Sequence, residues 1–155
     1  TAFYGCSSIV NLACNANITT INSSAFQYCA NLVQVRFPNN TSSVTSTCFG
    51  ATQPAYACRK LEIADVGKAS SIAANAFANC QKLQTLVLRK TGSICTLANV
   101  SAFTNTPMRG YNSLTGTVYV PSSQIATYKT ATNWKTLYDG GTVTFSAIEG
   151  SQYAL

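Results

Sequence analysis

Histidine is absent from this chain of 155 residues, and acidic residues are scarce. The missing imidazole excludes Ser-His-Asp and Cys-His nucleophilic sites, zinc sites built on histidine and any histidine general base. The four carboxylates, Glu62, Asp65, Asp139 and Glu149, have no spacing that suggests a glycosidase pair. The sequence therefore predicts a protein that is not an enzyme, with no cofactor and no metal site.

Charge and long hydrophobic runs are also in short supply. Charged residues make up 9% of the chain, against about a quarter in an average protein. No apolar run approaches the roughly 18 residues that a membrane-spanning helix requires, so we expect no membrane insertion. The net charge is +6, but basic residues never run longer than the pairs Arg59-Lys60 and Arg89-Lys90. A nucleic-acid-binding arm is denser than this, so nucleic acid is not an expected partner.

What the chain does contain is an internal repeat. The unit reads Ala-Phe-x-x-Cys-x-x-Leu, and its copies follow one another at 23, 23, 28 and 26 residues. In-phase repetition of this kind indicates a stack of similar structural units. The five copies begin at Ala2, Ala25, Cys48, Ala76 and Ala102.

Apolar residues lie at fixed offsets from the repeat cysteine, and two of the offsets differ by two residues. A period of two predicts a short strand. One unit cannot bury its apolar side alone, whereas stacked units can, with strands about 4.8 Å apart in a parallel sheet. The sequence therefore predicts an α/β repeat solenoid. Its strand positions are Leu12 and Cys14, Val35 and Phe37, Ala64 and Val66, and Leu86 and Leu88. A second apolar position lies on the return leg, the part of each repeat that leads back to the next one, and is occupied by Ile21, Val44 and Ile72.

The repeated unit resembles the BspA-like (Treponema pallidum-type) leucine-rich repeat over residues 1–121. The resemblance implies a right-handed superhelix with a parallel sheet on one face. It also implies a secreted or surface protein of the kind implicated in adhesion and in host or matrix binding. Similar arrays occur in some phage-encoded and protist proteins. The departures from the pattern are Cys48 for Ala, Thr106 for Cys and a six-residue insertion within 50–57, and they are expected to affect only local packing.

The five repeats are expected to be followed by a small α+β cap over residues 122–155. Ser122 is predicted to cap a short helix that carries Ile125 and Tyr128 on one face. Alternating apolar residues predict a final strand within 142–148. Because the chain begins inside a repeat, we expect further N-terminal repeats in the parent protein.

Seven cysteines permit a disulfide or metal interpretation, but no Cys-x-x-Cys pair exists. Whether Cys14, Cys48 or Cys95 forms a disulfide is left open by their spacing. The other four share one repeat position and are predicted to stack as a column of small buried side chains. They are Cys6, Cys29, Cys58 and Cys80.

Binding is expected on the outward side of the strands, because solenoids commonly present such a face to partners. Arg36 and Tyr119 are the preferred contacts, since Arg and Tyr are enriched at interfaces. The alternative is that polar residues here only keep the sheet soluble. The full set of candidate contacts is Gln34, Arg36, Asp65, Thr85, Arg89 and Tyr119.

Two further groups each have a functional and a structural interpretation. Arg59, Lys60 and Lys82 form a basic patch that suits an anionic glycan or surface polymer, or are simply solvated. Three aromatic residues of the cap either form a platform for sugar rings or pack into the core. They are Tyr128, Trp134 and Tyr138.

The resemblance and the missing catalytic residues together predict a non-enzymatic extracellular or cell-surface module, secreted or surface-bound. It would bind a protein or glycan on a host or bacterial surface, in adhesion. Two alternatives stay open. One is a structural or receptor-binding component of a phage particle, a role with which the low charge and the free thiols are also consistent. The other is an accessory binding module of a larger enzyme.

Overall fold

The computed structural model describes residues 2–14, 17–37 and 39–155, so that Thr1, Asn15, Ala16 and Pro38 lie outside the description. Within it the chain forms a stack of rungs, and each of the first four repeats supplies one three-residue strand and one two-residue strand. The ten strands are β1 (Asn11–Ala13), β2 (Thr20–Ile21), β3 (Gln34–Arg36), β4 (Ser43–Val44), β5 (Ile63–Asp65), β6 (Ser71–Ile72), β7 (Thr85–Val87), β8 (Thr96–Leu97), β9 (Gly116–Val120) and β10 (Val143–Ala147).

The strands form two parallel sheets on different sides of the solenoid. The larger sheet has the order β1-β3-β5-β7-β9-β10, and the smaller one has the order β2-β4-β6-β8. The predicted repeat solenoid is therefore confirmed. The sequence indicated the return leg only as an apolar position, whereas the structure shows a second ladder of paired strands there. Between the two sheets lies a continuous core in which Val35, Ala64 and Leu86 are fully buried.

The phenylalanine of each Ala-Phe pair stacks on the phenylalanine of the next repeat. Four successive pairs have nearly parallel rings, and Trp134 of the cap continues the ladder at its end. Offset aromatic pairs contribute about 0.5–1.5 kcal/mol beyond the burial of their area. The centroid separations are 5.0 Å for Phe3–Phe26, 4.9 Å for Phe26–Phe49, 5.2 Å for Phe49–Phe77, 5.7 Å for Phe77–Phe103 and 6.0 Å for Phe103–Trp134.

The insertion within 50–57 leaves its rung intact. The Cys58 N–H donates to the Phe49 carbonyl at 3.0 Å, as the Cys29 N–H does to Phe26 at 3.2 Å in an uninterrupted repeat. The extra residues include a 3-10 turn, Pro54–Tyr56. The Tyr56 carbonyl accepts from the Tyr28 N–H at 2.8 Å, and the two rings are in tilted contact with their centroids 4.5 Å apart. The departure is thus local, as expected.

The repeat cysteines form the predicted column. Cys29, Cys58 and Cys80 are fully buried, and Cys6 at the first rung is half-buried. Each buried thiol donates to the carbonyl of the phenylalanine one rung earlier, at 3.0 Å from Cys29 to Phe3, 3.0 Å from Cys58 to Phe26 and 3.6 Å from Cys80 to Phe49. All seven cysteines of the chain are free, including Cys14, Cys48 and Cys95.

The cap contains two helices, α1 (Ile125–Thr130) and α2 (Trp134–Asp139), and ends in β10, which pairs in parallel with β9. The prediction that Ser122 caps the helix is wrong. Ser122 is the first residue of a 3-10 turn, Ser122–Gln124, that precedes α1, so Gln124 rather than Ser122 holds the position before the helix. The Ser122 N–H donates to the Glu149 carboxylate at 2.9 Å. The alternation within 142–148 is the strand β10, as predicted.

We expect Phe49→Ala to lower the free energy of unfolding by about 3–5 kcal/mol, because it removes a fully buried ring from the middle of the ladder. Urea unfolding followed by circular dichroism measures the change. Phe3→Ala is the matched control, since Phe3 is half-buried and stacks on one side only. Equal losses from the two substitutions would show that the ladder does not stabilise the core as described.

Burial also makes stability depend on alkaline pH. It raises the pKa of the Cys48, Cys80 and Cys95 thiols above the ordinary value of 9.0, to about 12 for Cys95. Above about pH 9 these thiols ionise in the unfolded chain but keep their protons in the fold. Their contribution is therefore complete below pH 9 and is lost as the pH rises, at about 1.4 kcal/mol per pH unit for each thiol.

We therefore expect the free energy of unfolding, measured with urea under reducing conditions, to fall steeply above about pH 9. Cys48→Ala should reduce the slope by about 1.4 kcal/mol per pH unit, the contribution of one thiol. The fold should stay intact, because alanine holds this position in the other four repeats. An unchanged slope in this variant would contradict the assignment.

Candidate functional site

The outward side of the larger sheet carries two rows of side chains, which together we name the strand face. The residues of each row are adjacent because the parallel strands pair in register. The central residue of each strand points into the core, so its two neighbours point outward. The first row is Asn11, Gln34, Ile63, Thr85, Thr117 and Thr144, and the second row is Ala13, Arg36, Asp65, Val87, Tyr119 and Ser146.

A buried ion pair lies at the centre of the strand face. Arg89 follows β7 and donates to the Asp65 carboxylate through Nε, at 3.0 Å to Oδ2, and through Nη2, at 2.7 Å to the same oxygen. The Gly67 N–H donates to Oδ1 at 3.1 Å, and Arg36 Nε lies 3.7 Å from Oδ2. A buried pair offsets its desolvation only when its remaining hydrogen-bonding groups are satisfied, and here they are.

Residues 150–155, which we name the 150–155 segment, fold back over the strand face after β10. The Arg89 Nη1 donates to the Tyr153 carbonyl at 2.8 Å, and the Tyr153 ring lies 4.6 Å from the Tyr119 ring. Glu149 directly precedes the segment, and its carboxylate accepts the Ser122 N–H. Hydrogen bonds from the backbone of Glu149 and Ser122 lower the pKa of this carboxyl.

Two cavities lie between the 150–155 segment and the first strands of the face, and Arg36 and Arg89 line both of them. Half of the Arg36 side chain is exposed, so its guanidinium can donate to a ligand. The first cavity has a volume of about 240 Å³ and is lined by Gln34, Arg36, Ile63, Asp65, Arg89, Gln152, Tyr153 and Ala154. The second has a volume of about 340 Å³ and is lined by Ala13, Cys14, Arg36, Phe37, Asn39, Arg89 and Leu155.

The structure brings most of the candidate contacts together. Gln34, Arg36, Asp65 and Arg89 line the first cavity. Tyr119 lies under the Tyr153 ring, and Thr85 is half-buried in the first row. Sequence reasoning missed Gln152 and Tyr153, because nothing in the local pattern of 150–155 indicates a contact with Arg89, which lies 64 residues earlier in the chain.

The basic patch lies apart from these cavities. The Lys60 ammonium donates to the Asn31 side chain of the preceding repeat at 2.7 Å, and Arg59, Lys60 and Lys82 are all exposed. None of the three lines the two cavities beside the 150–155 segment. Whether they bind an anionic polymer therefore stays a prediction.

The aromatic residues of the cap separate into core and surface. Tyr128 and Trp134 are fully buried, and both bond to Cys95, since the Tyr128 hydroxyl accepts from its N–H and the Trp134 indole donates to its carbonyl, each at 2.8 Å. Core packing is therefore confirmed for these two. Tyr138 is partly exposed and lies under the Lys129 ammonium, 5.0 Å from the ring centroid.

Within the described part of the chain, no group of three or more Cys, Asp or Glu side chains is arranged to hold a metal ion. None of the helices in that part has the length and apolar character needed to cross a bilayer.

We expect Asp65→Ala to destabilise the protein by about 3–5 kcal/mol, because it leaves the Arg89 charge buried without its partner. The matched control is Asp139→Ala, which breaks the exposed pair between Lys135 and Asp139 on α2 and should cost only about 0.3–0.5 kcal/mol. Urea unfolding at neutral pH measures both. A loss for Asp65→Ala as small as that of the control would show that the pair is effectively solvated.

Comparison with known proteins gives consistent results. The family described as BspA type leucine rich repeat region matches residues 1–124 in six copies, where the Ala-Phe pairs mark five. No curated protein matches the chain. A leucine-rich repeat protein of T. pallidum has a similar structure, with a TM-score of 0.58 and 22% identity, over 76% of this chain and 49% of that chain.

A leucine-rich repeat protein from Bacteroides ovatus is also similar, at 15% identity and a TM-score of 0.30, over 79% of this chain and 46% of that chain. The chain thus spans about half the length of the solved structures that it matches.

Proposed function

This chain belongs to the BspA-type leucine-rich repeat family, and from that premise we propose that it is a non-enzymatic binding module that contacts a protein or glycan through its strand face. The observation that carries the proposal is the register of the larger sheet, which places outward side chains from successive repeats side by side. Such a row presents one continuous surface to a partner.

The chemistry of the exposed part of the strand face, around Arg36, supports recognition of polar groups. Arg36 and Gln34 are neighbours on β3, and both line the cavity beside the 150–155 segment. Arg36 offers guanidinium donors that suit a carboxylate, a peptide carbonyl or sugar hydroxyls. The half-exposed Ile63 of the first row adds apolar area next to them.

The proposed location is the cell surface or the secreted fraction, and the proposed role is adhesion to a host or bacterial surface. The support is the family, whose members are commonly surface-associated. Fractionation of the source culture, with detection of the parent protein by mass spectrometry, tests it. Enrichment in the envelope or the medium would support the proposal, and enrichment in virus-like particles would contradict it.

Binding itself is tested by screening the chain against arrays of surface proteins and glycans and measuring the hits by surface plasmon resonance. We expect Arg36→Ala to weaken a genuine hit at least tenfold, because interface arginines often carry a large share of binding energy. The matched control is Arg109→Ala, which removes one exposed arginine from the 3-10 turn Pro107–Arg109, outside both the strand face and the basic patch. Equal effects of the two substitutions, or no effect of Arg36→Ala, would contradict binding at this face.

A further inference from the structure

Part of the strand face is covered, although the outward direction of its side chains predicts that they are exposed. Asp65 and Val87 are neighbours in the outward second row, yet Asp65 is 3% exposed and Val87 is fully buried. Tyr119, the next member of the row, is half-buried. Side chains on the outer side of a sheet become buried only when another part of the molecule lies against them. Here the Arg89 side chain lies against Asp65, and Tyr153 of the 150–155 segment contacts both Arg89 and Tyr119.

Two contacts join the segment to the face, and both are of kinds found in peptide recognition. Arg89 is held by Asp65 through Nε and Nη2, which leaves Nη1 to donate to a main-chain carbonyl, that of Tyr153, at 2.8 Å. The Tyr153 ring meets the Tyr119 ring at 4.6 Å and an angle of 58°, within the preferred range for aromatic pairs. The strand face therefore contacts one main-chain carbonyl and one aromatic side chain of the segment.

The remaining hydrogen bonds of the segment are local. The Ser151 hydroxyl donates to the Ile148 carbonyl at 2.7 Å and accepts from the Tyr153 N–H at 3.1 Å, and the Ala154 N–H donates to the Ser151 carbonyl at 3.1 Å. The segment is thus a short turn that orders itself and rests on the face through a small contact. Such a contact can be exchanged for a similar one from another chain.

We propose that the strand face is a peptide-binding site whose intramolecular occupant is the 150–155 segment. The class of partner is a protein that presents an aromatic side chain to Tyr119 and a main-chain carbonyl to Arg89. Such a partner must displace the segment. This proposal rests on the proposed function and deepens it, since it selects protein over glycan as the ligand.

Displacement determines what a binding measurement detects. A tethered segment competes at an effective concentration in the millimolar range, so an equivalent free peptide binds the intact chain only weakly. Removing the tyrosine side chain from the tethered segment removes one of its two contacts and frees the site. The same change of tyrosine to alanine in the free peptide removes its ring contact with Tyr119. The changed peptide should therefore bind the freed site only weakly.

The test uses the full chain and its Tyr153→Ala variant, each labelled with ¹⁵N. The probe is the acetylated and amidated peptide Gly-Ser-Gln-Tyr-Ala-Leu, and its matched control carries alanine in place of tyrosine. Chemical shifts of the Val87 and Tyr119 amides and of the Arg89 Nε report binding. Tyr111→Ala is the protein control, since Tyr111 lies in a separate 3-10 turn. Circular dichroism verifies that each variant is folded.

We expect the tyrosine peptide to bind the Tyr153→Ala variant saturably, at least tenfold more tightly than it binds the wild type or the Tyr111→Ala variant. We expect the alanine peptide to bind at least tenfold more weakly than the tyrosine peptide. Equal binding of the tyrosine peptide to all three proteins, or no shift at millimolar peptide, would overturn the proposal.

Outcomes of the surface screen distinguish this proposal from the one that it rests on. If a protein hit depends on Arg36 but its affinity is the same for wild type and Tyr153→Ala, the partner binds the strand face beside the 150–155 segment without displacing it, and the proposed displacement is wrong. If only glycans displace the segment, the assignment of a peptide ligand is wrong. If the peptide binds as expected but the screens give no hit that depends on Arg36, the peptide site stands and the adhesion proposal fails.

Discussion

Stacking of identical side chains from one rung to the next is the interaction on which the rest of the structure depends. The phenylalanine ladder brings residues 23 to 28 positions apart into ring contact, and the thiol of each buried repeat cysteine bonds to the phenylalanine carbonyl one rung earlier. These contacts set the register of every strand. The parallel pairing of the larger sheet, and thus the adjacency of its outward side chains, follows from them.

Register then decides the chemistry of the strand face. Asp65 pairs in the ladder with Arg36 on one side and Val87 on the other, and Arg89 turns back to the same carboxylate. The pair of Asp65 and Arg89 is buried, whereas Arg36 remains half exposed. The face therefore has a buried half, which the 150–155 segment covers, and an open half with room for another group.

The repeat pattern was sufficient to predict the solenoid, the cysteine column and the inward positions of the larger sheet, because each depends on residue type at a fixed offset. The contacts between Arg89 and Tyr153 could not be predicted, because they join distant positions and depend on the direction in which the chain leaves β10. The Ser122 cap was wrong because a 3-10 turn, Ser122–Gln124, separates Ser122 from the first residue of α1, and the sequence pattern does not distinguish this turn from the first turn of the helix.

The insertion within 50–57 has a consequence for how such a protein can diversify. It adds length on the turn side of one rung, while the hydrogen bond between Cys58 and Phe49 and the ring stack above and below are the same as elsewhere. Loop length there is uncoupled from the strand face. A lineage can thus change the surface around this turn without changing the strand face, and an engineer can graft an epitope or tag at the same place.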